Sequence, residues 1–180
     1  MPAAMALVPS ARAGLHAVAR GATVLQLRDP SAEAGDLERE AAKLVGAAAV
    51  PVVVSARVDV ALAAGAAGVH LPEQDLPVAE ARRLLPDGLV GRSVHSLATA
   101  REAEAEGADY VVFGPVFETA SHPRQAATGL ERLREVAQGL GIPVLAIGGV
   151  DETTAALCRQ AGAAGFAAIR YFSEKGRWST

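Results

Sequence analysis

The chain has 180 residues, 51% of them hydrophobic, and a net charge of −3; that suits one domain over residues 1–180 with a sizeable core and excludes a disordered chain. No Lys/Arg cluster tracks a phosphate backbone, so no nucleic-acid partner is expected, and no apolar run is long enough to span a bilayer. The single cysteine, Cys158, excludes a disulfide framework or a cysteine-rich zinc site within one chain.

Short apolar runs alternate with Ala-rich helical windows along the sequence. Ala4–Val8 reads as a first strand, and His16 lies in the helix after it. Thr23–Arg28 is the second strand, followed by a helix over Ala32–Leu44. Strands at Val52–Ser55, Gly68–Leu71, Leu89–Ser93 and Tyr110–Phe113 follow, with helices at Val58–Ala64, Val78–Leu85 and Leu97–Glu106 between them. A long segment without period then leads to a helix at Leu130–Leu140, a strand at Val144–Ile147, a helix at Glu152–Ala161 and a strand at Gly165–Ile169. Ala, Leu, Glu and Arg dominate the helical windows, as helix propensity favours. The segments GAAGVHL, GADYVVF and GAAGFAA repeat one device: a glycine that ends a helix and turns the chain into a strand.

Eight strands alternating with helices predict a parallel sheet closed into a (βα)₈ TIM barrel. An open doubly wound sheet would need a Gly-rich turn after an early strand, and LQLRDPSAEAG supplies none. The barrel is short for its class. Only YFSEKGRWST follows the last strand, so the final helix is expected to be absent or vestigial. That would leave an apolar stripe for Trp178 or a second subunit to cover, and a homodimer is expected. The opening MPAAMALVPSARAG lacks the charged and apolar regions of a signal peptide, so a cytoplasmic location is expected.

Strand alternation places Gln26 and Arg28 on the inner side of the second strand, and Gly91, Ser93 and His95 on the inner side of the fifth. Arg28 at the mouth needs a carboxylate, such as Asp29 or Asp75, or an anionic ligand. Gly148-Gly149 ends the seventh strand, and Ile169-Arg170 ends the eighth. In a barrel, the loops after these two strands commonly bind phosphate. The aperiodic segment after Phe113 is long enough to be a functional lid. It carries Thr119, Ser121, His122 and Arg124.

Together the segments LQLRDP, VVVSARVDVALAAGAAGVHLPEQDLP, GRSVHSLATA, GADYVVFGPVFETASHPRQAATGLERLREVA, IPVLAIGGV and AGAAGFAAI resemble the thiamine phosphate synthase / TenI family, from about Ala4 to Phe172. The resemblance implies a (βα)₈ barrel that binds a small phosphorylated thiazole, with its phosphate on Gly148 and Gly149. One branch joins a pyrimidine diphosphate to the thiazole phosphate with Mg²⁺. The TenI-like branch includes tautomerases that move a proton without metal.

Compared with the synthase pattern, Gln26 and Arg28 match, but Pro30 stands where a lysine would be. Ser55-Ala56 replaces an Asn-Asp pair whose Asp binds magnesium, Asp75 matches a second metal carboxylate, and His122 replaces the lysine of Thr-x-Thr-Lys. These departures, and the wording RVDVAL, GRSVHSL and FGPVFET, favour a tautomerase that needs no cofactor. Pro115 occupies that branch's acid/base His position, which leaves His122 and His95 as catalytic candidates. The substrate-binding set is then Gln26, Arg28, Ser55, Ser93, Thr119, Ser121, Gly148, Gly149, Ile169 and Arg170. The alternatives are a Mg²⁺-dependent synthase, with Asp75 as a metal ligand, and a non-catalytic relative.

Overall fold

In a computed structural model, residues 3–119 and 126–173 are described. Eight parallel strands close in sequence order into a barrel, β1 pairing with β8. The elements are β1 (Ala3–Val8), α1 (Ala11–Ala19), β2 (Val24–Leu27), α2 (Ala34–Ala47), β3 (Val52–Ser55), α3 (Val58–Ala63), β4 (Gly68–Leu71) and α4 (Val78–Leu84). They continue with β5 (Leu89–Val94), α5 (Leu97–Ala105), β6 (Tyr110–Phe113), α6 (Gly129–Gln138), β7 (Val144–Ile147), α7 (Glu152–Gln160) and β8 (Gly165–Ala168). The barrel expected from the sequence is therefore present. Arg28 and Ile169 fall just past their strands rather than inside them.

The helices start where side chains can accept the free N–H groups of a first turn. Ser10 caps α1 through Ala13 N–H and Ser96 caps α5 through Thr99 N–H. Asp151 and Thr154 form a reciprocal capping box on α7. At the other ends, Gly65, Gly107 and Gly162 take φ of +64°, +97° and +101°. This left-handed backbone turns each helix into the next strand at little cost only for glycine. The three GA segments are thus repeats of one αβ turn.

Alternation sorts the strand residues. Met5, Val53, Tyr110, Val112, Leu145 and Ala167 cluster inside the barrel. Leu25, Leu27, Val69, Leu71, Val111 and Phe113 are buried in the clusters that the strands form with the surrounding helices. With few aromatics, the outer layers rely on close approach. A Cβ on Gly14 of α1 would lie 2.6 Å from a Leu44 methyl on α2.

No helix follows β8 among the described residues, but the expected bare stripe is not there. The outward Phe166 and Ala168 are each 7% exposed. Tyr171 and Phe172 pack on Phe166 with ring centroids at 4.9 and 6.0 Å. These two aromatics, directly after the strand, take over apolar contacts that a helix would make. Trp178 lies outside the described residues.

Arg82, near the end of α4, ties down the N-terminal face of the barrel. It donates to the carbonyls of Leu85 (3.1 Å), Gly88 (2.6 Å) and Gly107 (3.0 Å), and to Asp109 Oδ2 (2.5 Å). Asp109 also accepts from Val90 N–H at 2.7 Å. One planar guanidinium so joins two αβ turns and two strands. Arg82→Ala is expected to cost about 2 kcal/mol in urea unfolding, and Arg82→Lys to recover little because an ammonium cannot fork. A wild-type unfolding midpoint in Arg82→Ala would refute this role.

Candidate active site

The C-terminal ends of the strands form the mouth where barrel chemistry takes place. Just below it, inward positions of five neighbouring strands carry polar or aromatic groups. Gln26 on β2 and Ser55 on β3 are 3% and 9% exposed, and Gln26 Nε2 donates to Ser55 Oγ at 3.3 Å. His70 on β4 contacts Ser93 on β5 through Nε2 at 2.9 Å, and Tyr110 on β6 through Nδ1 at 3.2 Å. Burial pushes the His70 imidazole down to about 3, helped by the Arg92 guanidinium, so it is neutral at physiological pH. The structure thus brings Gln26, Ser55 and Ser93 of the expected set together. It adds His70 and Tyr110, to which sequence reading gave no role.

Arg28 stands exposed one residue past β2, and its side chain makes no ion pair among the described residues. The two internal partners considered for it are engaged elsewhere. Asp29 accepts from Ser31 Oγ at 2.6 Å, and Asp75 accepts from Leu76 N–H at 2.6 Å.

On the opposite rim, Gly148 and Gly149 take φ of +93° and +64°. The chain there lies flat against the segment after β6. Val116 N–H donates to Ile147 O at 2.8 Å and Phe117 N–H to Gly148 O at 3.1 Å. A Cβ on Gly148 would meet Pro115 Cα at 2.6 Å, and one on Gly149 would meet Glu118 O at 2.6 Å. The amides of Gly148 and Gly149 donate to no protein group among the described residues. Beyond β8, Ile169 is half-buried and Arg170 exposed. The Arg170 carbonyl accepts from Ser173 Oγ at 3.0 Å, which fixes that turn.

The loop after β6 is stitched at its base. Pro115 O accepts from Thr128 N–H at 2.8 Å, and Val116 O accepts from Gly129 N–H at 3.0 Å. Thr119 is half-buried on this loop. Ser121 and the catalytic candidate His122 lie outside the described residues, as does Arg124.

The other catalytic candidate, His95, follows β5 and is 42% exposed. Glu73 in the β4–α4 loop grips it twice, taking Nδ1 at 2.7 Å and the backbone N–H at 3.1 Å. Ser93, expected on the same face, instead joins His70. A cavity of about 270 Å³ opens between α4 and α5, lined by Glu73, Val78, Arg92, Glu102 and Glu106. It lies on the helical side of β5, where Arg92 donates to Leu76 O and Glu73 O, so it is separate from the mouth.

The sequence pattern of the thiamine monophosphate synthase family (TMP-TENI) matches residues 8–172. The chain belongs to that family. Over 157 residues it is 45% identical to a protein of Chloroflexus aurantiacus named thiamine-phosphate synthase, covering 85% of this chain and 73% of that one. Over 158 residues it is 39% identical to a putative thiamine-phosphate synthase 2 of Aquifex aeolicus, covering 86% and 85%. The solved thiamine phosphate pyrophosphorylase of Pyrococcus furiosus superposes with a TM-score of 0.86 at 33% identity, over 97% of this chain and 89% of that one.

Membership raises the question of magnesium. Ala56, which the sequence resemblance aligns with a metal-binding Asp, has φ +63° and only a methyl group. No group of three His, Cys, Asp or Glu converges among the described residues. Of the two positions that the resemblance assigns to metal, only Asp75 carries a hard ligand, and magnesium favours several oxygen donors. The described residues therefore do not fit a two-carboxylate magnesium site.

Proposed function

We propose that the chain carries out the thiamine-phosphate synthase reaction, joining a pyrimidine diphosphate to a thiazole phosphate with release of pyrophosphate. The 45% identity to the Chloroflexus protein of that name carries this reading. It reverses the preference for a tautomerase drawn from the sequence alone. It makes this chain an enzyme of thiamine biosynthesis whose substrates are small phosphorylated molecules.

The residues present suit anionic ligands. The open amides of Gly148 and Gly149 would hold the thiazole phosphate, with Ile169 and Arg170 at its side. Arg28, without a carboxylate partner among the described residues, would face the diphosphate across the mouth. Gln26, Ser55 and Ser93 would bind the rings and their polar substituents, and Thr119 would close on them from the loop. No step is assigned to a metal.

The tautomerase remains a second reading because Ala56 and Pro30 depart from the synthase pattern. It needs an exposed proton carrier. Pro115 supplies none and His70 is sealed inside the barrel, which leaves His95, exposed with its Nδ1 on Glu73, and His122, which lies outside the described residues. One assay separates the readings. The protein is incubated with both substrates, with and without Mg²⁺, and thiamine phosphate and pyrophosphate are quantified. Equal amounts of the two products are expected. In a parallel incubation with the thiazole carboxylate phosphate alone, solvent proton exchange into that compound, with no pyrophosphate formed in the first, would select the tautomerase. Binding without either reaction would select a non-catalytic relative.

A further inference from the structure

Tyr110, His70 and Ser93 form a buried chain with a direction. Tyr110 fills the space beside Gly91 on the neighbouring strand, where a Cβ would fall 2.1 Å from its Cζ. Its ring stacks on His70 with centroids 5.6 Å apart. Tyr110 is 8% exposed and His70 is 2% exposed. The phenol hydroxyl has one partner among the described residues, His70 Nδ1.

A neutral imidazole has one nitrogen that donates and one that accepts, so two arrangements exist. With the hydrogen on Nδ1, the ring would donate to the Tyr110 oxygen. The phenol hydrogen would then be buried without an acceptor among the described residues, which is costly. With the hydrogen on Nε2, Tyr110 donates to Nδ1 and Nε2 donates to Ser93 Oγ. Both buried hydrogens are then used. Ser93 accepts from inside the barrel, and its own hydrogen is left to turn toward the mouth.

We propose that Tyr110 and His70 are positioning residues that fix Ser93 as a hydrogen-bond donor to an anionic oxygen of the ligand. A hydroxyl held this way suits a phosphate, diphosphate or carboxylate and offers less to a ligand amine. The anionic ligand rests on the reading under Proposed function; the direction of the chain rests on burial and hydrogen bonding alone.

Two measurements test it. The first is ¹⁵N NMR of histidine-labelled protein at pH 7, with the His70 signals assigned by their loss in His70→Gln. A protonated Nε2 and a bare Nδ1 are expected. A hydrogen on Nδ1, or on both nitrogens, overturns the relay.

The second is calorimetric titration with inorganic pyrophosphate and with thiazole phosphate, using wild type, Ser93→Ala, Tyr110→Phe and the double variant. Ser93→Ala is expected to weaken one of these anions roughly tenfold, and the affected probe identifies which anion Ser93 serves. Tyr110→Phe is expected to weaken the same anion about threefold alone and to add nothing in the Ser93→Ala background. Additive losses, or unchanged binding by Ser93→Ala, overturn the proposal. A wild-type protein that binds neither anion overturns the ligand reading together with the anion half of the proposal, whereas an Nδ1–H spectrum overturns the relay alone. Should Tyr110→Phe fail to fold, the wild-type spectrum decides.

Discussion

Gly149→Ala is expected to unfold at markedly lower urea concentration, with a loss of about 3 kcal/mol, and to bind thiazole phosphate at least tenfold more weakly. Two costs add. The left-handed backbone at φ +64° charges an L-residue roughly 1–2 kcal/mol. The new Cβ would also press on Glu118 O at 2.6 Å and Phe117 Cβ at 2.7 Å, an overpacking worth roughly 1–3 kcal/mol. Relief requires the loop after β6 to move away from the β7 end, which would disturb the amides proposed to hold phosphate. Gly21→Ala is the control. Its φ is +92°, but a Cβ there meets nothing within 4 Å. It should show the backbone cost without the collision and leave binding intact. If the two variants lose equal stability, the packing of the loop on Gly149 contributes nothing.

Acidification from pH 7 to pH 5 is expected to remove about 2 kcal/mol of stability through His70 alone. The sign follows from the depressed pKa. The imidazole titrates near 6.5 when unfolded and near 3 when folded. Between those values the unfolded chain binds the extra proton, so stability is full above about pH 6.5. It falls by roughly 1.4 kcal/mol per pH unit below that and levels off near pH 3. The carboxylates held low by hydrogen bonds act later. Asp29 is held by Ser31, Asp59 by Arg57 and Asp151 by Thr154, and all start from 3.8, so their contributions fade mainly below pH 4. Urea unfolding of wild type and His70→Gln at pH 7 and pH 5 checks this. His70→Gln should be less stable at pH 7 but lose about 2 kcal/mol less on acidification. Equal losses in both proteins would show that His70 is not the group responsible.

The fold was legible because period and punctuation agree. Each strand is a short apolar run, and each GA turn announces the next one. α1 was placed only through His16, because Ala13, Gly14 and Ala17 make a buried face with little apolar contrast. The glycines of the β7 end were legible as a phosphate-binding pattern. Their docking on Pro115–Glu118 was not, since it is a contact between separate loops. Arg28, Gln26 and Ser93 were found by alternation along single strands. His70 and Tyr110 required register between strands: Ser55 lies beside His70, and Gly91 beside Tyr110. A tyrosine opposite a glycine on the next strand was the signal available. The grip of Glu73 on His95 joins two loops and left no periodic trace.

Ala56 carries a consequence of another kind. Left-handed backbone is tolerated by asparagine and aspartate better than by alanine. The loop after β3 therefore has a shape that suits asparagine or aspartate better than the alanine it holds, and Ala56 N–H donates to His70 O at 2.9 Å. Ala56→Asp would place a carboxylate at this point with no rebuilding of the loop. The departure from the family pattern thus lies in one side chain and not in the backbone that carries it.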